Sequence, residues 1–142
     1  MIITGQDDVL AAWVADKAGV KSGFEKYTAI GSADKDGWLM GATVFTNYHP
    51  EHGIIEMSSA AVNPKWLSRD MIRAIFNYPF EQLGCQMVVL RVSEDNSRML
   101  NIARRFGMSE YTIPRLRGRD EAEVIFTFTD DQWRDSPYRS AH

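Results

Sequence analysis

The feature that most constrains this chain is a strand pattern, an amphipathic helix pattern and a second strand pattern in direct succession. Residues 54–62 contain the Ile and Val content that favours a strand. Residues 66–83 carry apolar side chains at helical spacing, and Pro79 is placed to end or kink that helix. After Gly84, the apolar run 86–92 predicts a buried strand parallel to the first one. The three segments together predict a β-α-β unit.

Before this unit, the sequence predicts one helix and one hairpin. Residues 7–16 predict a helix with Val9, Ala12 and Trp13 on one apolar face, behind two acidic residues, and Gly19 is its expected stop. Two β-type segments follow at 27–32 and 38–48. The Asp-Gly pair at 36–37 lies between them and is a hairpin signal, so we expect the two strands to pair antiparallel.

After this unit, the sequence predicts a second helix and a closing hairpin. The helix covers 96–106, with Asp95 or Asn96 as its N-cap and Gly107 as its C-terminal stop. Two last strands are predicted at about 110–116 and 123–129. We expect a polar tail after them. Arg115, Arg117 and Arg119 lie around the turn between them; either they alternate along a strand and face one side together, where they attract an acidic partner, or they form a solvated hairpin tip.

Length, charge and cysteine content exclude several classes of protein. The 142 residues predict a single domain, 1–142, and the net charge of −3 argues against non-specific binding to nucleic acid or to an anionic membrane. No apolar run approaches the roughly 20 residues of a membrane helix. Cys85 is the only cysteine, so an intramolecular disulfide is excluded and we expect a reducing, cytoplasmic setting.

The stretch 93–108, Ser-Glu-Asp-Asn-Ser-Arg-Met-Leu-Asn-Ile-Ala-Arg-Arg-Phe-Gly-Met, resembles part of the GNAT family of acyl-CoA-dependent N-acetyltransferases. It is similar to that family's strand end, Asn-initiated helix and closing leucine-or-phenylalanine, Gly, aromatic-or-Met signature. Pro-Lys-Trp-Leu-Ser-Arg at 64–69, Tyr-Pro-Phe at 78–80 and Gln-Leu-Gly at 82–84 resemble segments of short phage-encoded members. With the order of elements, the resemblance spans nearly the whole chain.

The resemblance implies an α+β (α/β) fold with a mostly antiparallel central sheet, a central parallel β-α-β unit and helices on both faces. It also implies acetyl-CoA as co-substrate, with the two parallel strands splaying apart to pair with the pantetheine arm. The turn 63–70 is then expected to offer N–H groups and a helix dipole to the pyrophosphate. The residues that the resemblance assigns to acetyl-CoA are Ala61, Val62, Asn63, Leu67, Ser68, Arg69, Asp70 and Asn96.

The turn departs from the family pattern, which has Gln or Arg and then small residues that let phosphate approach the backbone. Asn63 takes the first position, and Trp66 and Ser68 take the two small positions. Two alternatives stay open. Either Ser68 binds phosphate through its N–H and hydroxyl, with Arg69 adding a cation, or Trp66 packs on the sheet while Ser68 or Asn63 caps a helix.

The catalytic residues of the family are also altered. Many members have a Tyr in the second helix as general acid, and that position is Ala103 here, while the Ser of another branch is Met99. Tyr111 is a candidate acid, and its alternative role is packing at the start of a strand.

Glu56 is the one carboxylate within the central strand and is a candidate general base, or else an outward-facing strand residue. Ser93 and Glu94 are the next candidates, and either can instead end the strand or cap the following helix. Cys85 is predicted to be a small buried apolar residue rather than a nucleophile. We expect no metal site, because His49 and His52 lack ligand spacing beyond Glu51.

The leading hypothesis is an N-acetyltransferase that moves an acetyl group from acetyl-CoA to a primary amine by direct attack. The amine is borne by a small molecule or a protein. The alternative hypothesis is a protein with the same fold that does not transfer acetyl groups. It would be a catalytically degenerate phage or prophage protein that binds a host or virion partner. A homodimer is a third, weaker hypothesis, in which an exposed tail with Trp133 and Tyr138 reaches across a neighbour.

Overall fold

A seven-stranded sheet runs through the structure, a computed structural model that describes residues 1–139. Its strands are β1 (Ile2–Ile3), β2 (Thr28–Ala33), β3 (Leu39–His49), β4 (Ile54–Ala61), β5 (Met87–Ser93), β6 (Ser109–Ile113) and β7 (Glu123–Thr129). The helices are α1 (Asp7–Ala18), α2 (Arg69–Asn77), α3 (Ser97–Phe106) and α4 (Asp130–Arg134). The strand order is β1-β2-β3-β4-β5-β7-β6.

All neighbouring strands pair antiparallel except β4 and β5, which pair parallel at the centre of the sheet. The helix α2 lies between these two strands in sequence, as the strand-helix-strand pattern predicted. The expected mixed, mostly antiparallel sheet with one β-α-β unit is therefore confirmed. The short strand β1 was not predicted, because two residues carry no readable alternation.

One face of the sheet is covered by α1, which packs on β2, β3 and β4. Leu10 and Val14 of the helix are buried against Ala29, Ala42 and Val44 of the strands. The small strand residues allow this close approach. The predicted face of Val9, Ala12 and Trp13 is therefore wrong: Val9 is 65% exposed, because the larger apolar side chains of Leu10 and Val14 face the sheet instead. The helix ends at Gly19, whose positive φ of 74° is accessible at low cost only to glycine, as the sequence predicted.

The other face is covered by α2, α3 and α4, and it holds the larger apolar core. Aromatic rings occupy its centre: Phe76 of α2 lies 5.1 Å from Phe128 of β7 and 5.4 Å from Phe106 of α3, between ring centroids. Helices on both faces of the sheet are thus confirmed. Packing of this kind contributes most of the stability of a domain of this size.

The helix predicted over 66–83 is divided into three pieces. A single 3₁₀ turn covers Pro64–Trp66, α2 begins only after Ser68, and a π-helical turn covers Tyr78–Gln82. Pro79 lies in this π-helical turn, consistent with its expected effect of ending or kinking the α-helix.

The end of the chain differs from the prediction. The segment after β7 is not an exposed polar tail: Thr129 caps α4, and Trp133 is only 1% exposed, with its ring 5.1 Å from Phe76. Tyr138 packs partly buried against the same core. A tail in which Trp133 reaches across a neighbour is therefore wrong, because the aromatic cluster of its own chain already holds this ring.

The closing hairpin is confirmed, but β6 ends at Ile113 and not near 116. Arg115 has a positive φ of 68° in the turn, so the three arginines do not alternate along a strand. No helix among residues 1–139 is long and apolar enough to cross a membrane.

Candidate active site

The two central parallel strands separate after four residue pairs. Pairing of β4 with β5 runs from Ile54 opposite Met87 to Met57 opposite Leu90. Beyond that point β4 stays paired with β3 as far as Ala61, and β5 stays paired with β7 as far as Ser93. Each strand is thus held from its outer side while the inner sides diverge. The splay expected from the family resemblance is present.

A cavity of about 840 Å³ opens at this splay. It extends from the α1 face, where Lys17 and Phe24 line it, to the first turn of α3 on the other face, where Asn96 and Met99 line it. A smaller apolar cavity adjoins it between α2 and α3. A molecule bound in the large cavity can therefore contact both faces of the sheet.

Glu56 lines this cavity from the α1 face of β4. Its neighbours Ile55 and Met57 point into the larger core on the opposite face, so strand alternation directs Glu56 away from that core. Asn47 donates a hydrogen bond of 2.7 Å from its Nδ2 to Glu56 Oε2. Asn47 has a positive φ of 52° at an irregularity of β3, so a local distortion of the strand accompanies this contact.

Ser93 lines the same cavity at the end of β5. Its hydroxyl donates to Glu121 at 2.7 Å and accepts from the backbone N–H of Asp95 at 3.1 Å. The Ser93 hydrogen bond, reinforced by Arg117, lowers the pKa of Glu121 below its ordinary value. Glu94 accepts from the N–H of Ala122 and so ties the end of β5 to the loop before β7.

Two arginines and a buried glutamate form a network on the α1 side of the cavity that the sequence did not reveal. Glu123 is only 4% exposed, and its two carboxylate oxygens accept from Arg91 at 3.0 Å and from Arg117 at 3.2 Å. Arg117 also contacts Glu121 at 3.0 Å. Arg91 and Glu123 are 32 residues apart in sequence, so only the pairing of β5 with β7 brings them together.

Replacing Glu123 with Gln is expected to lower the free energy of unfolding by about 1.5–3 kcal/mol, because charge-assisted hydrogen bonds to both arginines are lost. Urea unfolding followed by far-UV circular dichroism measures this loss. Glu110→Gln is the matched control, since Glu110 pairs with Arg104 at the surface. Equal losses in the two variants would contradict an important stabilising role for the network.

The turn from β4 into α2 uses its polar side chains as helix caps. Asn63 accepts from the N–H of Lys65 at 2.9 Å, and Ser68 Oγ accepts from the N–H of Met71 at 3.1 Å. Asp70 forms an ion pair with Arg73. These side-chain roles correspond to the second alternative drawn from the sequence.

The aromatic residue of this turn packs on the sheet, as that alternative also predicted. Trp66 is 3% exposed, and a Cβ atom added at Gly41 of β3 would lie 2.6 Å from its ring. The indole thus fills the space above a glycine in the neighbouring strand. Arg69 donates to the carbonyl of Pro137 at 3.1 Å, and its guanidinium lies 5.3 Å from the ring centroid of Tyr138.

The other residues that the resemblance assigned to acetyl-CoA lie at the edges of the splay. Ala61 lines the cavity, Val62 is exposed, and Leu67 packs partly buried against the core. Asn96 lines the cavity and caps α3 by accepting from the N–H of Met99 at 3.2 Å. Asn96 is therefore the N-cap, one of the two residues that the sequence offered for that role.

Several other sequence candidates lie apart from Glu56 and Ser93. Tyr111 is 56% exposed on β6, the last strand of the sheet, and is not among the residues that line the cavity. Ala103 and Met99 are buried in the core. Cys85 is a buried thiol whose pKa is raised by desolvation, as expected of a small apolar residue. Within residues 1–139, no group of three His, Cys, Asp or Glu side chains is placed to hold a metal ion.

Comparison with solved structures bears on the fold. A point mutant of spermidine N-acetyltransferase SpeG from Vibrio cholerae superposes with a TM-score of 0.74 and 12% identity, covering 95% of this chain and 98% of that one. A protein thought to be an acetyltransferase gives a TM-score of 0.69 at 17% identity, with 86% and 69% covered. The chain has the GNAT fold.

A third solved structure, dodecameric spermidine N-acetyltransferase from Vibrio cholerae in an intermediate state, gives a TM-score of 0.63 at 15% identity. It covers 77% of this chain and 68% of that one. No family model and no curated protein sequence matches the chain. At these identities, the likeness establishes the GNAT fold, and activity has to be argued from the site.

Proposed function

We propose that this GNAT-fold protein is an N-acetyltransferase that moves an acetyl group from acetyl-CoA to a primary amine. The observation that carries the proposal is the splay of β4 and β5, which opens a cavity between the two faces of the sheet with Glu56 facing into it. Two substrates can enter such a cavity from opposite faces. Their proximity then supplies much of the rate.

The residues around the splay fit the elongated acetyl-CoA molecule. The inner backbone groups of β4 beyond Met57 and of β5 beyond Leu90 do not pair with each other, so they can pair with the amides of a pantetheine arm. The first N–H groups of α2 and its positive dipole end suit the pyrophosphate. We propose that the bound acetyl-CoA molecule is surrounded by Ala61, Val62, Asn63, Leu67, Ser68, Arg69, Asp70 and Asn96.

Acetyl-CoA supplies a thioester: as the C–N bond to the amine forms, its C–S bond breaks and the electron pair leaves with the sulfur. Glu56 accepts a proton from the substrate ammonium through water, which exposes the nitrogen lone pair for attack. Asn47 holds the Glu56 carboxylate in place. After the attack, the nitrogen loses its second proton to water in the cavity. The leaving thiolate takes a proton from that water, directly or through the Ser93 hydroxyl, which regains its own proton from the water in the same step.

The chain is expected to bind acetyl-CoA and to release CoA thiol in the presence of an accepted amine. Isothermal titration measures the first step, and a thiol reagent measures the second. Because Cys85 is buried and its pKa is raised, the protein itself should give little thiol background. No heat from a folded sample at near-millimolar acetyl-CoA would disprove the cofactor assignment.

A second candidate function is a GNAT-fold phage or prophage protein that binds a partner and performs no catalysis. The observation that favours it is the burial of Ala103 and Met99 at the two positions where the family has its acid. Binding of acetyl-CoA without CoA release across a panel of amines, together with no effect of Glu56→Gln, would support this function and contradict the first.

Three further expectations belong to the proposal. We propose that residues 1–142 act as one domain, that the protein works in the cytoplasm, where the buried Cys85 stays reduced, and that two copies form a homodimer. Light scattering tests the last of these. A homodimer here does not depend on Trp133, which lies in the core of its own chain.

A further inference from the structure

The α1 side of the cavity is lined by charges of both signs. Lys17 at the end of α1, Arg91 on β5 and Arg117 in the loop before β7 are cationic, and Glu56 and Glu123 are anionic. Strand alternation places Arg91 on this face, because Leu90 and Val92 point into the larger core. The amine acceptor must therefore approach past side chains of both positive and negative charge.

The carboxylate of Glu123 is already neutralised by two cations. Arg91 and Arg117 each donate to one of its oxygens at 3.0 and 3.2 Å, and Arg117 adds Glu121 as a further partner. Glu123 is buried beneath these arginines, whose side chains are 43% and 37% exposed. Within the cavity lining, the exposed groups of the network are therefore the guanidinium groups of Arg91 and Arg117, while Glu121, 36% exposed, faces Arg117. Arg91 offers a cation to the acceptor at this point, and a polyamine would gain nothing from it.

The exposed guanidinium of Arg91 has N–H donors beyond the one that contacts Glu123. Within residues 1–139, Arg91 donates one hydrogen bond, from Nη2 to Glu123, and a guanidinium has five N–H donors in a planar fork. Such a fork matches the two oxygens of a carboxylate or a phosphate. Glu123 beneath the guanidinium orients it, and the cavity lies in front of it.

Glu56 and Arg91 are placed to bind two ends of one small molecule. Glu56 lies opposite Val89, so Arg91 is two residues further along the neighbouring strand and on the same face. In a regular sheet, two residues along a strand and one strand across correspond to about 8 Å between Cα atoms, and the separation of β4 and β5 beyond Leu90 adds to this distance. Both side chains then converge on the cavity at the level where β4 and β5 separate.

We infer that the acceptor is a small amine that also carries an anionic group, a carboxylate or a phosphate, and that Arg91 binds this group while Glu56 faces the amine. This inference rests on the proposed acetyltransferase function. It assigns the site a substrate class different from spermidine, the substrate named for the solved SpeG enzymes. The acceptor class follows from the pairing of Glu123 with two arginines rather than from the shared fold.

Pairs of amines that differ only in the anionic group test the inference. Ornithine and putrescine differ by one carboxylate, as do lysine and cadaverine, and phosphoethanolamine and ethanolamine differ by one phosphate. Spermidine completes the panel. CoA release at fixed acetyl-CoA gives kcat/KM for each amine. We expect kcat/KM for at least one amine that carries an anionic group to exceed that of its counterpart without the group by about tenfold or more, the range of a charge-assisted contact.

Arg91→Met is expected to abolish this preference by raising KM for the anionic amine about tenfold or more, while kcat for it changes much less. Arg91→Lys keeps the charge but lacks the fork, and we expect an intermediate KM. Arg119→Met is the matched control, since Arg119 is an exposed arginine of the same loop as Arg117 and does not line the cavity. Circular dichroism and the affinity for acetyl-CoA confirm that each variant is folded.

The possible outcomes separate the inference from the function on which it rests. A preference for the amines with an anionic group that Arg91→Met removes supports both the inference and the acetyltransferase function. The pair with the larger preference shows whether Arg91 binds a carboxylate or a phosphate. Efficient acetylation of putrescine, cadaverine or spermidine with no gain from the anionic group overturns the inference and keeps the acetyltransferase. Binding of acetyl-CoA with no CoA release for any amine overturns both.

Discussion

Replacing Trp66 with alanine is expected to lower the free energy of unfolding by about 3–5 kcal/mol, the range for truncating a large buried aromatic residue. Trp66 is 3% exposed and rests on the backbone of Gly41, so its removal leaves a void between the sheet and the turn before α2. Unfolding in guanidinium chloride, followed by far-UV circular dichroism, measures the change.

The matched control is Trp38→Ala, which replaces another tryptophan, at the tip of the β2–β3 hairpin. Trp38 is 75% exposed, so its replacement should change the free energy of unfolding by no more than about 0.5 kcal/mol. Similar losses for the two tryptophans would show that Trp66 is not packed as the structure describes. A large loss at position 66 alone supports the description of the turn.

Replacing Glu56 with Gln is expected to lower kcat by about 100-fold, the lower end of what a positioned general base contributes. The amide keeps the size of the side chain and can still contact Asn47, but it cannot accept the proton of the substrate ammonium. The affinity for acetyl-CoA should stay the same, because Glu56 faces the α1 side of the cavity. Single-turnover CoA release separates this loss from slow product release.

Glu51→Gln serves as the control, because Glu51 is an exposed carboxylate in the turn between β3 and β4 and does not line the cavity. Its kcat should match that of the unaltered protein. A Glu56→Gln variant with full kcat would remove Glu56 from the proposed mechanism and would leave proton transfer to water in the cavity.

The elements that the sequence predicted well are those with local causes. Asn96 begins α3 and Gly107 ends it, each through hydrogen bonds to residues a few positions away. The Asp-Gly pair at 36–37 forms its turn through similarly local hydrogen bonds. The alternation of β4 and β5 shows which face each residue lies on. The splay of these strands was expected only from the family resemblance, since periodicity carries no information on where two strands separate.

The features that the sequence did not predict depend on contacts between distant parts of the chain. The pairing of Arg91 with Glu123 needs the register of β5 against β7. The burial of Trp133 depends on rings from α2, α3 and β7, which are distant in sequence. The five residues of α4 and their polar neighbours carry no local pattern that indicates this burial, so the sequence predicted a polar tail. Tyr111, a candidate on sequence grounds, is assigned to the outer strand by the same long-range order.

The position of Trp133 also has a consequence for the order in which the chain can fold during synthesis. A chain emerges from the ribosome with its N-terminus first. The α1 layer on β2 and β3 is complete before the aromatic cluster, because its buried residues all precede residue 45. The aromatic cluster closes only after Trp133 has been synthesised, 57 residues after Phe76, so the side of the Phe76 ring that Trp133 covers stays open over that part of translation.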